Sequence, residues 1–198
     1  MHPLSPIDIH AHYYPEGYLR LIEQHGSRFD ASCEIGADGF TITTPHIKMP
    51  KLPPRFTDVD LRVAEMDEIG VDVHALSLTM PMVDFADGGC ARDLSAAFND
   101  GCAEAHQKYP GRLVGFAMVP WHAPDLALEE LSRAAKLPGI KGVYAPTHVL
   151  EHELGDEPFQ PIYEMMEDLG LPLFLHPVHV VEPKRLSRYY CLLYTSDA

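Results

Sequence analysis

The sequence predicts an α/β fold in which about five parallel strands alternate with helices. Short apolar runs, each of strand length, recur along the chain, amphipathic stretches of helical length separate them, and glycine or proline stands at most boundaries. Strands that return in the same direction after each helix pair in parallel through right-handed crossovers, and strands covered on both faces are apolar almost throughout. Two architectures fit this pattern, an open doubly wound sheet and a (β/α)8 barrel.

The first strand is expected over residues 6–9, directly before the motif His10-Ala11-His12. Residues 17–25 predict a helix that Gly26 ends. Residues 28–54 have no helical period, and they include several prolines and a stretch, residues 41–43, that alternates like part of a hairpin. We therefore expect a small insertion after the first strand.

A regular alternation of helices and strands begins at Thr57. This residue is the expected N-cap of a helix that runs to about Ile69 and ends at Gly70. A strand over residues 71–77 follows it. Three further units repeat this order, with helices over residues 91–108, 124–136 and 159–168 and with strands over residues 113–118, 139–144 and 172–175, the last of which ends at His176.

Composition excludes several classes of protein. Hydrophobic residues make up 46% of the chain and charged residues 22%, which is typical of a globular domain. No run of apolar residues is long enough to cross a bilayer, and no basic segment followed by an apolar stretch marks a secretory signal. The net charge is −14, from 15 basic against 29 acidic residues, so we expect neither nucleic acid nor an anionic membrane surface as a partner.

The cysteines predict a reducing environment. Cys33, Cys90, Cys102 and Cys191 lie at wide spacings without a Cys-x-x-Cys pair, so neither a zinc ribbon nor a disulfide framework is indicated. A cytoplasmic location is the simplest interpretation.

Two histidines stand where a phosphate-binding glycine loop would be in a dinucleotide-binding open sheet. Strand alternation directs His10 and His12 to one side, and at the carboxyl end of a barrel strand that side is the mouth where active sites form. Neutral imidazoles suit a divalent metal, and His176, at the end of the fifth strand, supplies a third. An isolated His-x-His also arises by chance in a chain with 12 histidines, so the metal hypothesis depends on all three residues.

The other histidines are weaker candidates for metal ligands. His74 lies inside a strand and is expected to be a hydrogen-bonded core residue. His122, His148 and His179 follow strand ends and could face the barrel mouth, whereas the remaining ones are expected on the surface or in helices: His25, His46, His106 and His152.

Five blocks of sequence resemble, in order along the chain, the decarboxylase branch of the amidohydrolase superfamily. The resemblance is closest to aminocarboxymuconate semialdehyde decarboxylase and its relatives and runs from Ile7 to about Tyr190, with the blocks at residues 7–12, 62–72, 110–116, 142–149 and 173–177. It implies a distorted (β/α)8 barrel with one divalent metal, usually zinc, that removes carbon dioxide without oxidation from an aromatic or enol-type carboxylic acid. It also implies a family that often forms homodimers, although no residue here argues for a dimer.

Carried over by motif, His10 and His12 are the first-strand metal ligands and His176 is the fifth-strand ligand. Trp121, His148 and His179 are the candidate substrate contacts. The fourth family ligand, an Asp after strand eight, and the proton-handling His after strand six have no counterpart in this sequence.

The sequence also departs from the family near residues 39–44, which lack the arginine of the family's namesake. Lys48, Lys51 or Arg55 could bind a carboxylate in its place, although solvated loop cations are the alternative interpretation. We therefore expect a substrate that differs from that of the namesake.

Two further alternatives remain open. On the same scaffold, metal-bound hydroxide could hydrolyse a lactone or an amide, or the chain could be an inactive truncated fragment. Residues 191–198 are identical to a translated transposase library adapter, so we expect residues 1–190 to be a partial barrel and the last eight residues not to be native.

Overall fold

A computed structural model of the chain describes residues 5–177. In chain order its elements are β1 (Ile7–His12), α1 (Glu16–His25), β2 (Ser32–Gly36), β3 (Gly39–Thr43), α2 (Val59–Ile69), β4 (Val73–Ser77), α3 (Gly88–Lys108), β5 (Leu113–Ala117), α4 (Pro124–Ala134), β6 (Ile140–Pro146), β7 (His148–Val149), β8 (His152–Glu153), α5 (Gln160–Leu169) and β9 (Leu173–His176).

Five of these strands form one sheet in the order β1-β4-β5-β6-β9. Every neighbouring pair in that sheet is parallel, so the chain returns through a helical crossover after each strand. The predicted five-stranded parallel α/β architecture is confirmed. Within residues 5–177, no helix combines the length and the hydrophobicity that crossing a bilayer requires.

The ends of α2 show where the local prediction was right and where it was one residue off. Gly70 ends the helix in the left-handed conformation, with φ of 75°, as expected of a helix-stopping glycine. The N-cap is Asp58 rather than Thr57, because the Asp58 carboxylate accepts hydrogen bonds from the backbone N–H groups of Asp60 and Leu61. The Thr57 hydroxyl instead donates to the carbonyl of Pro54.

Other predicted boundaries shift by a few residues. α3 begins at Gly88 rather than residue 91, because the Asp87 carboxylate accepts from the backbone N–H of Cys90 and so caps an earlier turn. α4 ends at Ala134, two residues before the predicted end, and α5 begins at Gln160 after a 3-10 turn over Glu157–Phe159.

The insertion after β1 contains a two-stranded antiparallel hairpin, of which only the β3 part was predicted. β2 was missed although Cys33 and Ile35 alternate with polar residues in Ser-Cys-Glu-Ile-Gly, because two apolar positions make only a weak strand pattern. The hairpin is held instead by its pairing and by burial of Phe40 and Ile42, which are 1% and 0% exposed. β7 and β8 were missed too, since strands of two residues have no detectable period.

The core has two parts. The larger packs α1, α3 and the hairpin against β1, β4 and β5, and the smaller packs α4 and α5 around β6. One irregularity bears on function: the register of β1 against β4 shifts between Asp8 and Ala11, so β1 carries a bulge just before it ends.

Candidate metal centre

Three imidazoles converge at the carboxyl ends of β1 and β9. Nε2 of His10 lies 2.9 Å from Nε2 of His12 and 2.9 Å from Nε2 of His176. The ligand nitrogens of the three residues all lie within 4.8 Å of one another, and within residues 5–177 this is the one such group of side chains suited to a metal ion. The structure therefore brings together the three metal ligands that the sequence predicts.

The convergence requires a curled sheet. β1 and β9 stand at opposite edges of the five-stranded sheet, and four strand spacings in a flat sheet would separate their backbones by about 19 Å. The contact between His10 and His176 is possible only if the sheet bends round so that both edges face one point, as in a barrel. This contact favours the barrel over the open doubly wound sheet.

The protonation state of the cluster suits metal binding. Burial, and then the proximity of His176 and His10, lowers the pKa of His12 to about 3, so its imidazole is neutral near pH 7. Nδ1 of His12 lies 3.3 Å from Oγ of Ser77 at the end of β4. An N–H at Nδ1 that donates to this hydroxyl leaves the Nε2 lone pair directed at the other two rings.

A second polar group lies behind the centre, and the sequence analysis did not find it. Nη2 of Arg62, on α2, donates to the backbone carbonyl of His12, and Nη1 lies 3.3 Å from Nδ1 of His74. Nε2 of His74 in turn lies 3.7 Å from Oδ2 of Asp8. The available signal was an arginine four residues before the buried Met66, hence on the core-facing side of the helix.

A cavity of about 370 Å³ opens beside the centre. Its lining includes His10 and His12 and many apolar side chains of the insertion, of α2 and of the segment after β4: Ile47, Met49, Leu52, Phe56, Met66, Ile69 and Met80. Charged and polar side chains line it too, among them Asp8, Arg55, Arg62, Glu65 and His74. Such a concave apolar site with a few polar groups is typical of small-molecule binding.

The three candidate carboxylate-binding cations differ in position. Arg55 lines the cavity and pairs with Glu65 at 3.4 Å. Lys51 pairs with Asp38 at 2.6 Å, and neither it nor Lys48 is among the lining residues. Arg55 is therefore the best placed of the three.

The predicted core histidine is confirmed, since His74 is 9% exposed and hydrogen-bonded to Arg62. Nε2 of His122 lies 3.0 Å from the carbonyl of Ala86, so this atom is used in joining two loops.

The three candidate substrate contacts stay predictions. Trp121 is 3% exposed and its indole N–H donates to the carbonyl of Tyr144, so the structure adds no contact that supports a substrate role. His148 lies in β7 and is partly buried, and His179 lies outside the described residues.

Comparison with known proteins is consistent with this geometry. The model of the amidohydrolase family matches residues 7–197. A 2-amino-3-carboxymuconate-6-semialdehyde decarboxylase from Dictyostelium discoideum is 28% identical over 93% of this chain and 52% of its own length. A gamma-resorcylate decarboxylase from Polaromonas sp. is 34% identical over 67% of this chain and 43% of its own length.

A solved structure shares the fold. The dihydroxybenzoic acid decarboxylase from Polaromonas sp. JS666, crystallised with manganese and the inhibitor 2-nitroresorcinol, superposes with a TM-score of 0.67 at 26% identity, over 96% of this chain and 54% of that one. Together with the curled sheet, this match confirms the predicted partial (β/α)8 barrel. The chain spans about half the length of the curated relatives that it matches.

Proposed function

Because the chain belongs to the amidohydrolase family, we propose that His10, His12 and His176 hold one divalent metal ion in a decarboxylase of aromatic or enol-type carboxylic acids. The convergence of the three Nε2 atoms at one point carries this proposal. The donor set fits the metal, since neutral imidazole nitrogens bind zinc, iron and related divalent ions. The decarboxylase names of the relatives support the reaction.

The identity of the metal is a finer question. Three imidazoles alone favour zinc, which the sequence resemblance also implies. The manganese in the solved relative supports a harder ion, and a further carboxylate ligand, such as the Asp that the resemblance implies, would favour manganese. We propose zinc or manganese, to be distinguished by metal analysis of the purified protein.

The chain's own residues prepare the site in two ways. When bound, a divalent ion would supply Lewis-acid stabilisation of the charge that develops as carbon dioxide leaves. The apolar wall formed by residues such as Met49, Phe56 and Met80 would pack against an aromatic ring and exclude water. Arg55, which lines the same cavity and is paired only with the exposed Glu65, is the cation that we propose to hold the substrate's carboxylate.

The reaction can be tested on the complete gene product. We expect it to release carbon dioxide from dihydroxybenzoates and to lose that activity on treatment with a chelator. His176→Ala should abolish both metal retention and activity, whereas His152→Ala, which alters an exposed histidine paired with Asp156, should change neither. Acid release from lactones without carbon dioxide would identify a hydrolase instead, and retention of metal by the His176 variant would reject the site.

Three related predictions accompany the proposal. We propose a small carboxylic acid as the ligand, a homodimer as the assembled state, and the cytoplasm as the location. The free thiols of Cys33, Cys90 and Cys102 fit a reducing compartment. Sedimentation of the purified protein would test the dimer.

A further inference from the structure

We propose that Arg62 is a positioning residue for the metal centre. From α2 it holds the backbone carbonyl of His12 and the imidazole of His74, and so fixes the irregular end of β1 that carries two of the three ligands. The inference rests on the proposed metal site, but a metal titration separates the two, as described below.

The burial of Arg62 needs an explanation. The residue is only 7% exposed, although arginine is almost never buried unless it is paired. Among the described residues its guanidinium forms no ion pair, and its Nε has no hydrogen-bond partner. The groups that compensate its burial are the carbonyl of His12, the ring of His74 and the face of the Tyr13 ring, whose centroid lies 5.9 Å from the guanidinium carbon.

The carbonyl that Arg62 holds belongs to the bulged part of β1. Asp8 stands opposite His74 and Ala11 opposite Leu76, so three steps along β1 match two along β4. A bulge disrupts the ladder locally and redirects the side chains that follow it. Here those side chains are the metal ligands.

Two side chains stabilise the backbone of this segment. Oδ1 of Asp8 accepts a hydrogen bond of 2.9 Å from the backbone N–H of His10, and Arg62 donates to the carbonyl of His12. The bulge is therefore held at both ligand positions by side-chain bonds where regular strand pairing is interrupted.

His74 lies between the two stabilising residues and is hydrogen-bonded to one of them, Arg62. Because arginine can only donate, the 3.3 Å contact makes Nδ1 of His74 the acceptor and places the proton on Nε2. That Nε2 lies 3.7 Å from the carboxylate of Asp8, which is too far for a hydrogen bond, and it has no hydrogen-bond partner among the described residues. His74 and Arg62 thus join β4 to α2 directly behind the centre, with Asp8 of β1 beside them.

The charge of Arg62 and its proposed positioning role predict opposite effects of its removal on metal binding. A guanidinium near a site for a divalent cation repels the ion, so if charge alone mattered, its removal would strengthen metal binding. If Arg62 positions the ligands, its removal weakens metal binding, because loss of a residue that orients ligands typically costs 10–100-fold in affinity. The sign of the change distinguishes the two.

The experiment titrates the complete gene product with Mn²⁺. Calorimetry measures the Kd, and the electron paramagnetic resonance spectrum of the bound ion is recorded. For Arg62→Met we expect the Kd to rise at least about 10-fold, with a broadened spectrum. Arg62→Lys keeps the charge but lacks the two-armed guanidinium, so we expect a comparable rise.

Arg112→Met is the matched control. Arg112 also bonds backbone carbonyls, those of Asp72 and Val71, which precede β4 and lie at the end of that strand remote from Ser77 and the ligand His12. It pairs with Asp67 as well. The control should lose stability like the Arg62 variants yet bind Mn²⁺ within about twofold of the wild type, as expected for a residue that does not orient ligands.

Each outcome has one meaning. A wild-type protein that binds no Mn²⁺ rejects the metal site itself. A wild type that binds, with an Arg62→Met variant that binds as tightly or more tightly, rejects the positioning role. If Arg62→Met does not fold, His74→Leu removes one acceptor while leaving Arg62, and weaker Mn²⁺ binding by the folded variant supports the inference, whereas unchanged binding overturns it.

Discussion

The imidazole of His12 contacts several groups that favour its neutral form. It is close to two other rings and largely buried, and its backbone carbonyl is bonded to a buried guanidinium. Burial is the main cause of the lowered pKa of His12, followed by the proximity of the His176 and His10 rings and of Arg62. The neutral form is also the one that the proposed metal site requires of this ring.

Acid should therefore destabilise the metal-free protein through His12. Its pKa is about 3 in the folded chain against 6.5 when unfolded. Below the unfolded value only the unfolded chain takes up this proton, so the stabilising contribution, complete above 6.5, is lost as the pH falls toward 3. Between about pH 4.5 and 6 we expect the free energy of unfolding to fall about 1.4 kcal/mol per pH unit more steeply than in His12→Gln.

Urea titrations at several pH values of the metal-free complete gene product and of its His12→Gln variant measure this difference; the substitutions below are made in the same protein. Parallel pH dependence in the wild type and the variant would show that His12 is protonated equally in the folded and unfolded chains.

At the scale of the elements, helix α2 connects the sequence to the centre, since its buried face carries Arg62. Its start depends on the carboxylate of Asp58, which accepts two backbone hydrogen bonds. We expect Asp58→Ala to lower the free energy of unfolding by about 1 kcal/mol, the usual cost of losing an N-cap.

Thr57→Ala tests the boundary that the sequence alone favoured. Because Thr57 bonds the carbonyl of Pro54 and no helical N–H, we expect the smaller loss from this substitution in the same urea titration. A larger loss from the threonine than from the aspartate would place the cap one residue earlier.

Asn99 joins α3 to β5 and α4. Its amide donates to the carbonyl of Met118 at 2.8 Å and to the carboxylate of Glu130 at 2.7 Å, and its oxygen accepts from the N–H of Met118 at 2.8 Å. Asn99 is completely buried and Glu130 is 3% exposed, so Asn99→Leu leaves several polar groups without partners. We expect a loss of about 3 kcal/mol, measured by chemical denaturation.

Asp93→Asn provides the comparison for Asn99. It removes an exposed ion pair with Arg92, and the expected change is within about 0.5 kcal/mol. Equal effects of the two substitutions would contradict the assigned role of Asn99.

At the scale of the whole molecule, the sheet has exposed apolar edges. Within residues 5–177, β1 and β9 are the edge strands, and Ile7, Ile9 and Leu175 on them are 60%, 54% and 50% exposed. Unpaired strand edges with apolar side chains promote association between chains.

We therefore expect these 198 residues, expressed alone, to aggregate and to bind metal weakly. Size-exclusion chromatography with light scattering, compared with the complete gene product, measures this. A monodisperse monomer that melts cooperatively and holds one metal ion tightly would contradict it.

The predictable part of this molecule follows from local pattern. The periodicity of apolar residues predicted the parallel strands and the helices. The positions of glycines predicted helix ends such as Gly70 and Gly170, because a glycine in the left-handed conformation ends a helix. Strand β2 and the hairpin of β7 and β8 were not predicted, since their sequences give only a weak pattern and pairing with the partner strand holds them in place. The three candidate ligands could be identified because they stand at strand ends, where parallel topology brings side chains to one edge.

The sequence by itself determined the order of the strands, their common direction and the candidacy of His10, His12 and His176. Only the tertiary structure decided that the sheet curls far enough for the first and fifth strands to share a site, and that Arg62 and His74 lie behind it. The physical reason is the sequence distance over which the interactions act. Strand and helix patterns depend on neighbours a few residues away, whereas sheet curvature and the partners of a buried arginine depend on contacts between distant segments.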